Sequence, residues 1–171
     1  MNQKMAISGL GGQGVLLVTR LLAEAALNLG LEVLSSENHG MAVRGGAVVS
    51  HLKVGPYSSP LIRAGQADLV LFLAEENLEV HPQLIGPKTK VVVNTPNRGD
   101  YENLDAGRVA ELEVGRRQAE NLVLLGFALG RGHLFASPEA VRAALRGLSR
   151  NEKSLQENEK ALAAGFSRAG G

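Results

Sequence analysis

A glycine-rich turn near the N-terminus constrains the fold more than any other stretch of this chain. A short apolar run begins at Met5, the sequence Gly-Leu-Gly-Gly-Gln-Gly follows at residues 9–14, and an apolar helical pattern then covers Val15–Leu29. The glycines have the G-x-G-x-x-G spacing, which permits a sharp turn, close approach of backbone N–H groups to a ligand, and tight packing of the helix on a sheet. The stretch predicts a strand, a turn and a helix whose positive dipole end faces the turn.

The turn supplies the first candidate ligand site. We assign cofactor binding to Gly9, Gly11, Gly12, Gln13 and Gly14. A turn of this kind also occurs without a ligand, so a purely structural turn stays an alternative. In a nicotinamide-binding domain, an acidic residue about 20 positions after the glycines would hold the ribose. Glu37 is the one candidate, but it comes late and within a predicted loop at residues 35–40, which disfavours NAD or FAD.

The length and composition fit one α/β domain. With 171 residues, 44% of them hydrophobic, the chain is long enough to bury a sizeable core. We predict a single domain over residues 1–166 and a disordered tail at 167–171. The fold class is a Rossmann-like, three-layer α/β domain with a mostly parallel sheet. Ala47–Val54 alternates in polarity and follows the strand predicted at Leu31–Leu34 too closely for a helical crossover, so we expect it to be antiparallel or at the sheet margin.

Charge and cysteine content exclude several function classes. Lys and Arg number 18 against 17 Asp and Glu, for a net charge of +1, so no nucleic acid partner is indicated. No apolar run is long enough to span a membrane, and the N-terminus has no signal-peptide pattern, so we expect a cytoplasmic protein without membrane contact. The absence of cysteine excludes disulfides, a catalytic thiol and an iron–sulfur cluster held by this chain.

A second candidate site follows the second predicted strand. The segment His-Gly-Met-Ala-Val-Arg-Gly-Gly lacks periodicity, and loops rich in glycine and functional side chains often carry function. The alternative is a turn that leads into the next strand. We assign contact with a partner or with the mouth of an active site to His39, Met41, Arg44, Gly45 and Gly46.

Two asparagines complete the set of candidates. Asn94 ends a buried strand, where the ligand crevice of an open parallel sheet is found, and is a candidate cofactor contact. Asn121 is a polar residue on a largely apolar helix predicted over Ala119–Leu129. It is a candidate partner or active-site contact, and a structural hydrogen bond is the alternative.

Five motifs occur in one order along the chain. They are Gly-Leu-Gly-Gly-Gln-Gly (9–14), His-Gly-Met-Ala-Val-Arg-Gly-Gly (39–46), Ala-Asp-Leu-Val-Leu (67–71), Glu-Asn-Leu-Val-Leu-Leu-Gly (120–126) and Asn-Glu-Lys-Ala-Leu (158–162). Together they resemble the gamma-type domain of the 2-oxoacid:ferredoxin oxidoreductases. The likeness runs from about Met5 to Phe166, and the His-Gly-Met form of the second motif is most similar to the small subunit of indolepyruvate:ferredoxin oxidoreductase.

The resemblance implies a role in a larger enzyme. Its reaction would be oxidative decarboxylation of a 2-oxoacid, such as indolepyruvate, pyruvate or 2-oxoglutarate, to an acyl-CoA on thiamine diphosphate, with electrons passing through iron–sulfur clusters to ferredoxin. This chain has neither cysteine nor a Gly-Asp-Gly…Asn thiamine diphosphate signature, which implies that those cofactors lie on partner subunits. The chain itself would then have no catalytic residue and no metal, help to seat coenzyme A, be inactive alone, and form a dimer or higher oligomer.

Two other function classes stay open on the sequence. A stand-alone NAD- or FAD-binding oxidoreductase would need room for a substrate domain, which a chain of 171 residues hardly offers. A nucleotide-binding or interaction module without catalysis would need the α/β fold but no catalytic residues.

Overall fold

The computed structural model describes residues 1–39, with the backbone alone at His39, and residues 46–170. Within these ranges the chain forms six β-strands and six α-helices. The strands are β1 (Gln3–Leu10), β2 (Val33–His39), β3 (Ala47–Val54), β4 (Leu69–Phe72), β5 (Lys90–Asn94) and β6 (Glu102–Leu104). The α-helices are α1 (Val15–Asn28), α2 (Asn77–Val80), α3 (Ala106–Val109), α4 (Glu120–Gly130), α5 (Pro138–Leu148) and α6 (Glu152–Ser167).

The six strands form one mixed sheet in the order β2-β3-β1-β4-β5-β6. β1, β4, β5 and β6 are parallel neighbours, whereas β3 is antiparallel to both β1 and β2. The predicted α/β class and the antiparallel direction of residues 47–54 are confirmed. That strand is not at the margin, because it lies between β1 and β2 and separates the two strands that α1 connects.

β2 is longer than the sequence indicates. The predicted strand ended at Leu34, with a loop from residue 35, but β2 runs to His39 and pairs with β3 along its whole length. Glu37 is therefore a strand residue in register with Ser50. The polar side chains of residues 35–39 give no strand pattern. The strand forms there because its backbone N–H and C=O groups are hydrogen-bonded to β3. The short, polar strand β6 was missed for the same reason.

The two faces of the sheet are covered unequally. The larger hydrophobic cluster lies between the sheet and the helices, and includes Ile7, Leu52, Leu22 and Leu125. The smaller cluster, on the opposite face, has Phe72 and Val70 from the sheet packed with Ile62 and Leu84 from the segments that cover it. The third layer of the predicted arrangement is thin, because it consists of loops, α2 and a turn of 3-10 helix at Pro82–Leu84.

The ends of several helices follow the expected capping chemistry. Gly30 follows the C-cap of α1 with φ 71°, and the N–H of Leu31 donates to the carbonyl of Ala26 at 2.9 Å. Ser137 caps α5, its side chain accepting from the N–H of Ala140. None of the helices in the described ranges has the length and apolar content needed to cross a membrane.

α4 and α6 pack with their backbones in direct contact. A Cβ at Gly165 would collide with the carbonyl of Val123, and one at Gly126 would collide with the carbonyl of Leu162. Beyond α6, Ala169 is buried and its carbonyl accepts from Arg131 Nη1 at 3.1 Å. Ala169, within the predicted tail at residues 167–171, thus contacts the rest of the domain.

We predict that Gly165→Ala lowers the free energy of unfolding by about 1–3 kcal/mol, because the added methyl group forces two packed helices apart. Gly147→Ala on α5 is the matched control, since a Cβ there meets nothing within 4 Å. It should raise stability by about 0.5 kcal/mol through the lower entropy of the unfolded chain. Urea unfolding measures both, and equal effects of the two variants would contradict the close crossing.

Candidate ligand site at the glycine-rich turn

The glycine-rich turn lies at the carboxyl end of β1, at the point where the topology of the sheet reverses. After β1 the chain moves to β2 and β3 on one side, and β4 leads to β5 and β6 on the other. Ligands of open α/β sheets bind at such a switch point, outside the carboxyl ends of the strands. The predicted site therefore has the location that the fold class requires.

The glycines of the turn have distinct roles. Gly12 and Gly14 have φ of 92° and 84°, which L side chains rarely adopt. A Cβ at Gly9 would lie 2.9 Å from Val15 Cγ2, so glycine here permits α1 to approach β1. A Cβ at Gly14 would collide with the side chain of Asn121, whose Nδ2 lies 3.4 Å from the Gly14 carbonyl. Asn121 thus packs on the start of α1.

Gln13 directs its side chain into the protein. Its Oε1 accepts from the N–H of Leu10 at 2.7 Å. Its Nε2 donates to the carbonyl of Leu73 at 3.1 Å and to Oε1 of Glu120 at 3.0 Å. The side-chain amide therefore fixes the turn to β4 and α4.

Asn94 makes a similar set of contacts from β5. Its Nδ2 donates to the Leu73 carbonyl at 3.1 Å and to Oε2 of Glu120 at 3.2 Å. Its Oδ1 accepts from the N–H groups of Ala106 and Gly107, at 2.9 and 3.3 Å, at the start of α3. We call Gln13, Asn94 and Glu120 the Glu120 cluster.

Glu120 is the centre of this cluster. The residue is 8% exposed, and its two carboxylate oxygens accept from two different side-chain amides. Arg117 Nε lies 4.0 Å from Oε2 and offsets part of the negative charge. Sequence reasoning missed Glu120, although its place before Asn121 at the start of an apolar helix was a usable signal.

A second network holds the same turn from the opposite face of the sheet. Asn77 Nδ2 donates to Ser8 Oγ at 3.0 Å and to the Gly9 carbonyl at 2.8 Å. Ser8 Oγ also shares a hydrogen bond of 3.0 Å with His81 Nδ1, whose direction depends on the imidazole tautomer. Burial lowers the pKa of His81, which favours its neutral ring. None of these side chains was predicted as a site residue.

The backbone N–H groups are the donors of the turn that can face a ligand. α1 begins after Gly14 without a side-chain cap hydrogen bond, so no described side chain occupies the first N–H groups of the helix. Gly11 donates its N–H to the carbonyl of Gly46 at 2.9 Å, which brings the end of the 39–46 segment against the turn. Met41, Arg44 and Gly45, and the side chain of His39, lie outside the described residues, so their roles stay predictions.

The charges near the turn are unevenly distributed. A cleft of about 280 Å³ on the β4 and β5 side is lined by Glu75, Glu76 and Glu120, with Arg117 as its cation. Hydrogen bonds from Asn97 and Thr95 lower the pKa of Glu75, which keeps its carboxylate charged at neutral pH. This acidic side disfavours an anion, so an anionic ligand would approach α1 from the side of β3 and Gly46.

We predict that Gln13→Ala lowers the free energy of unfolding by about 1–3 kcal/mol, because the N–H of Leu10 loses its acceptor and Glu120 loses a donor inside the protein. Gln156→Ala, at an exposed position of α6, is the control and should change stability little. Chemical denaturation of both variants makes the comparison. Equal stabilities would show that the inward contacts of Gln13 contribute nothing.

Comparison with known proteins identifies the family. The family model described as pyruvate ferredoxin/flavodoxin oxidoreductase matches residues 4–168. Indolepyruvate oxidoreductase subunit IorB of Archaeoglobus fulgidus is 30% identical, with 99% of this chain and 96% of that protein covered.

Solved structures show the same fold. The gamma subunit of a keto/oxoacid ferredoxin oxidoreductase from Geobacter sulfurreducens is 29% identical, with a TM-score of 0.75 and 98% of each chain covered. A 2-oxoglutarate:ferredoxin oxidoreductase from Magnetococcus marinus, with 2-oxoglutarate, coenzyme A and succinyl-CoA bound, has a TM-score of 0.79 at 20% identity. That match covers 99% of this chain and 31% of the longer one. The chain therefore belongs to the pyruvate ferredoxin/flavodoxin oxidoreductase family, as a gamma-type domain of the 2-oxoacid:ferredoxin oxidoreductases.

Proposed function

We propose that this chain is the non-redox subunit of an enzyme that oxidatively decarboxylates a 2-oxoacid of the indolepyruvate, pyruvate or 2-oxoglutarate type to an acyl-CoA. The observation that carries the proposal is the match to an indolepyruvate oxidoreductase subunit over nearly all of both chains. Its partners would be the thiamine diphosphate- and iron–sulfur-binding subunits, with ferredoxin as the acceptor of electrons from the assembly.

The residues of this chain do not fit the redox cofactors of that reaction. The sequence has no cysteine to hold an iron–sulfur cluster and no Gly-Asp-Gly…Asn signature for thiamine diphosphate. No electron-transfer or decarboxylation step is therefore assigned to it. Its part in the mechanism is to present a rigid surface, at the carboxyl edge of the sheet, to the subunits that carry the chemistry.

We further propose that the glycine-rich turn seats a phosphate group of coenzyme A. Coenzyme A is bound in the similar Magnetococcus marinus structure, and here the N–H groups that begin α1 have no side-chain cap. Such N–H groups and the helix dipole favour an anion. Gln13 and Asn94 contribute indirectly, because their side chains hold the turn in shape while the backbone meets the ligand.

The segment before β3 has a second proposed role. We assign contact with the partner subunit or the active-site mouth to its residues His39, Met41, Arg44 and Gly45. The bond from Gly11 to Gly46 supports this assignment, because it brings the end of the segment to the edge of the proposed coenzyme site. A guanidinium at position 44 can bind a carboxylate or phosphate with two parallel hydrogen bonds.

The dinucleotide alternative is weakened by the position of Glu37. In a nicotinamide-binding domain the ribose-binding carboxylate follows a strand adjacent to β1. Here β3 lies between β1 and β2, and Glu37 is in register with Ser50, which in turn is in register with Ile7 in the middle of β1. Glu37 is therefore two strands away from β1 and short of its carboxyl end.

The first test is reconstitution. The purified chain alone should show no oxidation of any of the three 2-oxoacids with ferredoxin and coenzyme A, and no iron–sulfur absorbance. Co-expression with partner subunits should give a complex that oxidises at least one of them, and omission of this chain should abolish that activity. Oxidation of a 2-oxoacid by the single chain would refute the proposal.

The second test compares two glycines with the same backbone strain. Gly12 and Gly30 have φ of 92° and 71°, and a Cβ at either would meet nothing within 4 Å. Gly12→Ala and Gly30→Ala should therefore each cost about 1 kcal/mol of stability. Only Gly12→Ala should weaken coenzyme A binding to the assembled enzyme, by about tenfold if one charged hydrogen bond is lost. Equal affinities in both variants would show that the turn is structural only.

A further inference from the structure

A second cleft lies at the edge of the sheet opposite the glycine-rich turn. Lys4 lies near the start of β1 and Lys53 near the end of β3, and the antiparallel register places them directly opposite each other. The loop that follows β3 forms the other wall of the cleft, on the thinly covered face of the sheet. The cleft has a volume of about 500 Å³ and is lined mainly by Lys4, Lys53, Tyr57, Ser58, Ser59 and Arg63.

The cleft concentrates positive charge, and the part of the chain that the structure describes supplies no ion pair to neutralise it. Of the ion pairs between residues in the described ranges, none includes Lys4, Lys53 or Arg63. The nearby carboxylate is that of Asp68, which accepts from the backbone N–H of Lys4 at 2.7 Å. Like charges directly opposite in an antiparallel pair are destabilising. The register therefore puts two like-charged side chains at neighbouring positions on one face of the sheet, an arrangement that a bound anion would stabilise.

The other groups that line the cleft add hydrogen-bond donors. Tyr57, Ser58 and Ser59 line the same cleft and each carries a hydroxyl group. Lys53 Nζ lies 5.2 Å from the centroid of the Tyr57 ring, a cation–π distance that holds the ammonium group over the ring. Arg63 can bind two oxygens of a planar or tetrahedral anion at once. Ammonium, guanidinium and hydroxyl donors around one space are the set that recognises phosphate oxygens.

We propose that this cleft is a binding site for a small phosphate-bearing molecule of about the size of a nucleoside phosphate. Its volume is within the range of small-molecule sites. The phosphate lies between Lys4, Lys53 and Arg63 and removes the repulsion of the two lysines. The site is distinct from the glycine-rich turn, because the two lie at opposite edges of the sheet, and it does not depend on the proposed function of that turn.

The test uses inorganic pyrophosphate as the probe and amide NMR spectra of the full chain as the readout. Titration should shift the signals of Lys53 and of residues 57–63 with a saturable dependence. The double variant Lys53→Gln/Arg63→Gln should weaken the affinity by about tenfold or more, as loss of charge-assisted bonds predicts. The matched control, Arg150→Gln/Lys153→Gln, removes the same charge from exposed positions at the start of α6 and should leave the affinity unchanged.

Melting temperatures separate loss of binding from loss of folding. Lys53→Gln alone should stay folded and melt close to the temperature of the unmodified chain, because removal of the like-charge pair with Lys4 offsets the loss of the cation–π contact with Tyr57. The proposal is overturned if pyrophosphate shifts only residues 11–17, or if the control variant weakens binding as much as the cleft variant. It is also overturned if pyrophosphate does not bind and the cleft variant instead loses association with the partner subunits, since the cations would then serve a protein interface.

Discussion

The structure of the domain at the carboxyl edge of its sheet depends on the two hydrogen bonds that the Glu120 carboxylate accepts. The carboxylate accepts from Gln13 after β1 and from Asn94 at the end of β5, and both amides also bond to the carbonyl of Leu73, just after β4. The Glu120 carboxylate on α4 is therefore linked, through these two amides, to the carboxyl ends of β1, β4 and β5. A buried carboxylate is costly unless its oxygens are hydrogen-bonded, so the two amides and the carboxylate require each other.

This arrangement explains how a glycine-rich turn can be both exposed and well defined. Gly11 and Gly12 face solvent and have no side chain to pack, yet Gln13 between them and α1 is bonded on the inside. From the other face of the sheet, Asn77 holds the Gly9 carbonyl. The backbone donors that begin α1 are thereby fixed before any ligand arrives, which lowers the entropic cost of binding. The chain belongs to a family whose members include subunits of larger oxidoreductases.

The sequence predicts the parts of the structure that have a strong local code. The glycine spacing and the apolar pattern that follows it predict the first strand, the turn and α1, and with them the fold class. The short connection before β3 limits this strand to an antiparallel direction or a marginal position, but its insertion between β1 and β2 depends on long-range pairing, which the local sequence does not encode. β2 beyond Leu34 and β6 are polar strands defined by their neighbours. Gln13 and Asn94 lie near the carboxyl ends of β1 and β5, as their positions in the sequence indicate, whereas their inward direction depends on Glu120, which is distant in sequence.

A double-mutant cycle between Gln13 and Glu120 measures directly how much their hydrogen bond contributes to the stability of the domain. If the carboxylate holds the turn through this bond, Gln13→Ala, Glu120→Ala and the double variant should give a coupling energy in the unfolding free energies of about 1 kcal/mol or more, as expected for groups in one buried hydrogen-bond network. Additive effects, within about 0.5 kcal/mol, would mean that the two side chains stabilise the domain independently and that the bond between them does not hold the turn.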